Sequence, residues 1–124
     1  MAKVNKGLII PEDQLASKIF WVRGQKVMLD DDLAELYGVE TRRLNEQVKR
    51  NISRFPSDFM FQLTEDEYKN LMSQFATSRW GGRRKPPLAF TEQGVSMLSG
   101  VLNSKRAIQV HIQIIRVFSK MKEL

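Results

Sequence analysis

At 124 residues with no cysteine, the chain supports one domain with a modest core and excludes a disulfide framework, a thiolate nucleophile or a cysteine-based metal site. Its 42% hydrophobic and 27% charged residues make a globular composition. A formal net charge of +6 suggests an anionic partner, nucleic acid ahead of a membrane surface.

No apolar run approaches the roughly 20 residues of a membrane span, and no basic-then-apolar leader opens the chain, so a soluble cytoplasmic protein without a membrane partner is expected. Residues 1–17 read as a lead-in and residues 18–124 as the domain proper. Pro11 discourages helix before it, which leaves Leu8-Ile9-Ile10 to pair at a sheet edge. Glu12 to Ser17 is a loop or one helical turn. Ile19-Phe20-Trp21-Val22 and Val27-Met28-Leu29 flank a Gly-containing link and predict a β-hairpin.

The hairpin runs into a helix whose start is rich in aspartate. Asp30, Asp31 and Asp32 are expected to cap it and to suit its positive end. Gly38 stops the helix where a left-handed residue is easiest to place, and Val39 is expected to tuck between this helix and the next. Thr41 is the expected cap of the second helix, in which Leu44, Val48 and Ile52 recur every four residues. Helix, glycine turn and capped helix make a helix-turn-helix pattern.

At about 100° per residue, the face opposite Leu44, Val48 and Ile52 carries Arg42, Arg43, Lys49 and Arg50, with Asn45 and Gln47 on its flanks. From Thr41 to Arg54 there are five bases (Arg42, Arg43, Lys49, Arg50, Arg54) against one acid, Glu46, a net of +4. Arg, Lys, Asn and Gln are the side chains that reach phosphates and base edges in a major groove. The plainer alternative is a solvated charged face. The glycine turn and the near absence of acids favour nucleic acid.

Arg54-Phe55-Pro56 breaks the helix, and Phe59 to Leu63 alternates as a strand should. Thr64 and Glu67 form a capping box for a helix reaching Met72 or Phe75, with Tyr68, Leu71, Met72 and Phe75 as its buried stripe. From Ser78 to Pro87 the chain carries four bases (Arg79, Arg83, Arg84, Lys85), no acid, and Trp80. A basic loop beside a helix-turn-helix resembles a wing that tracks phosphates or enters a minor groove. A surface loop with Trp80 packed onto the core stays open beside it. Leu88-Ala89-Phe90 is a short strand, Thr91 caps a helix to Asn103, and Asn103-Ser104 stops it and caps the next. That last helix, Lys105 to about Lys122, has apolar residues over more than half its circumference, wider than a one-sided helix needs. A homodimer through its outer side is expected, matching a palindromic site.

These motifs, in this order, resemble the ORF6N domain. The resemblance is carried by Val27 to Asp30, Asp32 to Val39, Arg43 to Asn51, Arg54-Phe55-Pro56, Asp58 to Leu63, Ser73 to Ser78 and Gly81 to Arg84. Ala89 to Gly94 with Met97 to Ser104 also resembles the related Bro-N domain of phage antirepressors. The resemblance covers roughly residues 15 to 120 and implies a DNA-binding domain of phages, prophages and bacteria, related to the KilA-N group. Such proteins often carry a further C-terminal region, which implies that this chain is part of a longer protein or a minimal member. Lys85 and Pro86-Pro87 stand where an aromatic often follows the Gly-Gly-Arg-Arg motif.

An enzyme is not expected, and neither is a cofactor. His111, the single histidine, falls among Ile108, Ile115 and Phe118, with no Ser or Asp spaced along the sequence to orient it as a base. Asp30-Asp31-Asp32 points three ways from a helix start and suits capping better than metal. The expected class is α+β: a small antiparallel sheet with a helix-turn-helix on one side and two C-terminal helices packed behind. The expected function is double-stranded DNA binding for a phage- or prophage-type regulator, through Arg42, Arg43, Asn45, Gln47, Lys49, Arg50 and Arg54 with Arg79, Arg83, Arg84 and Lys85. The alternative is an antirepressor-type module that binds a repressor protein.

Overall fold

The computed structural model describes residues 9–74 and 85–121. Four strands, β1 (Ile19–Val22), β2 (Gln25–Leu29), β3 (Met60–Gln62) and β4 (Leu88–Phe90), form one antiparallel sheet in the order β1-β2-β4-β3. The helices are α1 (Glu12–Ala16), α2 (Asp30–Tyr37), α3 (Thr41–Arg50), α4 (Glu65–Ser73), α5 (Glu92–Leu102) and α6 (Lys105–Lys120), with a 3-10 turn at Ile52–Arg54. Small antiparallel sheet and helices together make the α+β class expected. Phe75 and the basic residues Arg79, Arg83 and Arg84, with Trp80, lie outside the described residues.

Strand alternation assigns the two sides of the sheet. Ile19, Met28 and Phe90 lie across neighbouring strands and join a core with buried residues of α2, α3, α5 and α6. Phe20, Val27, Leu29, Ala89 and Phe61 point the other way and meet Tyr68 and Leu71 of α4. The domain is therefore three layers deep, with α4 the one described helix on the thin side. α5 and α6 do not sit behind the sheet from α2 and α3. They share a core with them, and α5 touches α3 directly.

Local rules account for most element ends. Arg23 and Gly24 take φ of 55° and 74°, the pair of positive values that a two-residue hairpin turn requires. β2 consequently begins at Gln25, inside the link expected from the sequence. Gly38, at φ 74° and ψ 33°, ends α2, while Val39 N and Gly38 N donate to the Ala34 and Glu35 carbonyls, a Schellman closure. Thr64 and Glu67 form the expected capping box. Thr91 and Ser104 accept from the Gly94 and Ala107 amides as caps of α5 and α6. Gly94 is required by proximity: a Cβ there would run into the Phe59 carbonyl oxygen.

Four expectations change. Leu29, not an aspartate, precedes α2, so Asp30 is its first residue. Glu40 precedes α3, which makes Thr41 that helix's first residue, and neither position supplies a side-chain cap. Ile52 is 56% exposed rather than in line with Leu44 and Val48. The helix ends at Arg50, Asn51 leaves helical geometry at φ −118° and ψ 32°, and Ile52 opens a new turn. At the other end, Ile9 and Ile10 are not in a strand. The Ile10 amide donates to Gln113 Oε1 of α6, and Leu15 of α1 is buried in the main core, so the lead-in from Ile9 onward is built into the domain.

Candidate nucleic-acid interface

α3 is anchored by Leu44 and Val48, both buried. That anchoring leaves Arg42, Arg43, Glu46, Lys49 and Arg50 exposed on the opposite side, with Arg54 exposed just beyond in the 3-10 turn. Arg42 reaches Glu40 at 3.8 Å, with both side chains about four-fifths exposed, a pair that water and salt largely screen. Gln47 lies half-buried at the flank, and its carbonyl accepts from Asn51 Nδ2. Lys85 is exposed where the chain re-enters the sheet. The Pro86 carbonyl just after it accepts from Gln62 Nε2, and the Pro87 carbonyl from Leu63 N.

Asn45 behaves differently from its neighbours. Its Nδ2 donates to Asp30 Oδ2 at 3.3 Å, and its Oδ1 is buried without a hydrogen-bond partner among the described residues. The amide thus faces the base of α2 instead of standing out beside the arginines. Asp30 itself is fully buried. Its carboxylate also accepts from Leu88 N at 3.2 Å and from Asp31 N at 2.7 Å. One carboxylate therefore ties the start of α2, the middle of α3 and the start of β4, only three residues beyond Lys85. Alternation of hydrophobic residues does not reveal such a junction. A run of aspartates entering a helix reads as a cap until the strand alongside is known.

A second brace comes from α6. Arg106 Nε donates to the Leu36 carbonyl at 2.9 Å, where the end of α2 carries unpaired carbonyls and partial negative charge. The same guanidinium lies against Gly38, 3.0 Å from where a Cβ would stand. The turn between α2 and α3 is therefore held from outside as well as by its own backbone.

His111 has a partner after all. Docking of α5 on α6 puts Ser96 Oγ 2.9 Å from its Nε2, a contact invisible in a sequence where the two are fifteen residues apart. Burial holds the imidazole below its usual pKa, and the nearby Glu92 charge partly opposes that shift. The pair ties two helices on the side of the α5–α6 hairpin.

Sheet, glycine-linked helix pair and outward cations define a small basic α+β domain with one exposed helix face of concentrated positive charge. The family model of the ORF6N domain matches residues 17–101, and the chain belongs to that family. The match ends within α5, one residue before its last. Membership points to a phage-type regulatory module. Neither the curated proteins nor the solved structures contain a match to the chain. Among the described residues no helix is long and apolar enough to cross a membrane.

Proposed function

We propose that this ORF6N domain is the double-stranded-DNA-binding module of a phage- or prophage-type regulator. In this reading α2 and α3 act as a helix-turn-helix and α3 enters the major groove. Arg42, Arg43, Lys49 and Arg50 meet phosphates and base edges. Arg54 with Arg79, Arg83, Arg84 and Lys85 grips flanking phosphates, Gln47 reaches from the flank, and Asn45 acts through Asp30 by holding α3 in register. The observation that carries the reading is the outward cationic face of α3, set by the burial of Leu44 and Val48 on its other side. The role is one of binding, with no reaction and no cofactor.

Fluorescence anisotropy with duplexes selected from a random pool tests it. Each base-contacting arginine is worth about 1–3 kcal/mol, so Arg43→Ala combined with Arg50→Ala should weaken selected duplexes severely. Arg84→Ala should weaken all duplexes alike and flatten the salt dependence by about one counterion. Unchanged affinity in the Arg43→Ala, Arg50→Ala chain would refute α3 as the reading helix.

A second reading, a protein-interaction module that binds a repressor, draws on α6. Ile108 and Ile112 are about half exposed one turn apart on its outer side. The same stripe supports the homodimer, and a monomeric mass by light scattering at tens of micromolar would remove the dimer. Capture of a repressor without any duplex shift at low salt would favour the second reading.

A further inference from the structure

Two glycines sit inside α5, and only one of them is explained by the fold. Gly94 is pressed against the Phe59 carbonyl, whereas a Cβ on Gly100 would meet nothing within 4 Å among the described residues beyond its own helix. Glycine weakens a helix interior relative to alanine, so Gly100 carries a cost that no close contact among the described residues offsets. It is exposed on the wall of a cleft of about 380 Å³ between the end of α3 and α5, lined by Asn51, Arg54, Ser96, Met97, Gly100 and Asn103 among others. Among the described residues the lining holds one cation, several hydrogen-bonding side chains and no acid. Arg54 forms no ion pair among the described residues. A glycine that lets a partner come close, beside an Arg54 guanidinium without an ion pair and the exposed Asn103 amide, suits an oxyanion. Asn51 and Ser96 are already paired with Gln47 and His111. Arg54 closes the 3-10 turn that follows α3, so the cleft lies just past the C-terminal end of that helix.

We infer that this cleft seats a backbone phosphate of the duplex flanking the segment read by α3, with Arg54 neutralising it and Gly100 leaving the space for it. The assignment rests on the duplex-binding reading above. A phosphodiester there fixes the register of α3 along the groove, because it pins the helix at the end opposite the α2–α3 turn.

Gly100→Leu separates this seat from a structural role, because the two predict opposite behaviour. The side chain enters open space and replaces a poor helix former, so thermal unfolding should move to higher temperature. Lying over the preceding turn, it fills the cleft, and duplex binding should fall by about tenfold, the order of one lost phosphate contact. Gly100→Ala should stabilise similarly with a smaller loss of binding. Arg54→Gln should weaken selected and unselected duplexes alike and reduce the salt slope by about one counterion. A Gly100→Leu chain that is at least as stable as wild type and binds duplexes equally well overturns the seat while leaving α3 as the reading helix. Wild-type protein that fails to bind any duplex at low salt removes the underlying reading and the seat with it. A saturable thermal shift of the wild type by inorganic phosphate alone, lost in Arg54→Gln, would give the cleft to a free phosphate ligand and overturn the duplex assignment.

Discussion

The two sides of the sheet are held by different kinds of interaction. On the thin side, α4 is secured by polar contacts close to solvent, gathered on Glu67. Its carboxylate accepts from Thr64 N in the capping box and takes a two-pronged contact from Arg23 at 2.8 and 3.0 Å. The Arg23 guanidinium also lies 4.0 Å over the Phe61 ring, which helps hold a non-glycine residue at positive φ in the hairpin turn. On the thick side the polar ties are at least partly buried. Asp30 joins α2, α3 and β4, Arg106 of α6 closes the end of α2, and Lys26 of β2 donates to the Phe118 and Met121 carbonyls at the end of α6. Both sides centre on a carboxylate, but Glu67 is near solvent while Asp30 is sealed from it. Buried polar groups are costly to orphan and solvated ones are not, so the thick side should be the more sensitive to loss of a single polar group.

Removing the sealed carboxylate gives the largest expected effect. Asp30→Ala strands Asn45 Nδ2 and Leu88 N, and should destabilise by about 2–4 kcal/mol on the scale of two orphaned buried donors. Urea unfolding measures it, and a wild-type midpoint would break the contrast between the two sides. Arg106→Ala comes next, at about 1 kcal/mol for one lost hydrogen bond to a helix end. It should also raise amide exchange at Gly38 and Val39, which a uniform loss of stability would not do selectively.

Glu67→Gln is the smallest, about 0.5–1 kcal/mol at neutral pH for a partly solvated pair, and its dependence on acidity sharpens the comparison. The Arg23 guanidinium, then the Thr64 amide, hold Glu67 at a pKa of about 2 against an ordinary 4.5. A carboxyl depressed by folding contributes stability above its unfolded pKa and loses it as pH falls through the folded one. The gap between wild type and Glu67→Gln should therefore be full above about 4.5 and close towards about 2. A gap that stays constant across that window would show that Glu67 acts by shape alone.

What could be read in advance, and what could not, divides by distance along the chain and not by side of the sheet. The hairpin, the glycine stop at Gly38, the Thr64–Glu67 box, the caps at Thr91 and Ser104 and the outward cations of α3 all follow from residues within about four positions of one another. Backbone sterics and helical periodicity act at that range, so the sequence by itself determined them. Ile52 falls outside the buried stripe because periodicity says where a helix face points but not where the helix ends.

Tertiary structure alone decided the rest. Asn45 turns inward onto Asp30, fifteen residues earlier, whose buried carboxylate also accepts from Leu88 N, 58 residues later. Ser96 meets His111, Arg106 meets Leu36 and a cleft opens beside Gly100 only once α5 and α6 have docked on the same side as α3. Hydrophobic burial is non-directional. It dictates that these helices must cover the sheet, while which polar groups are then brought together depends on the shapes that meet there.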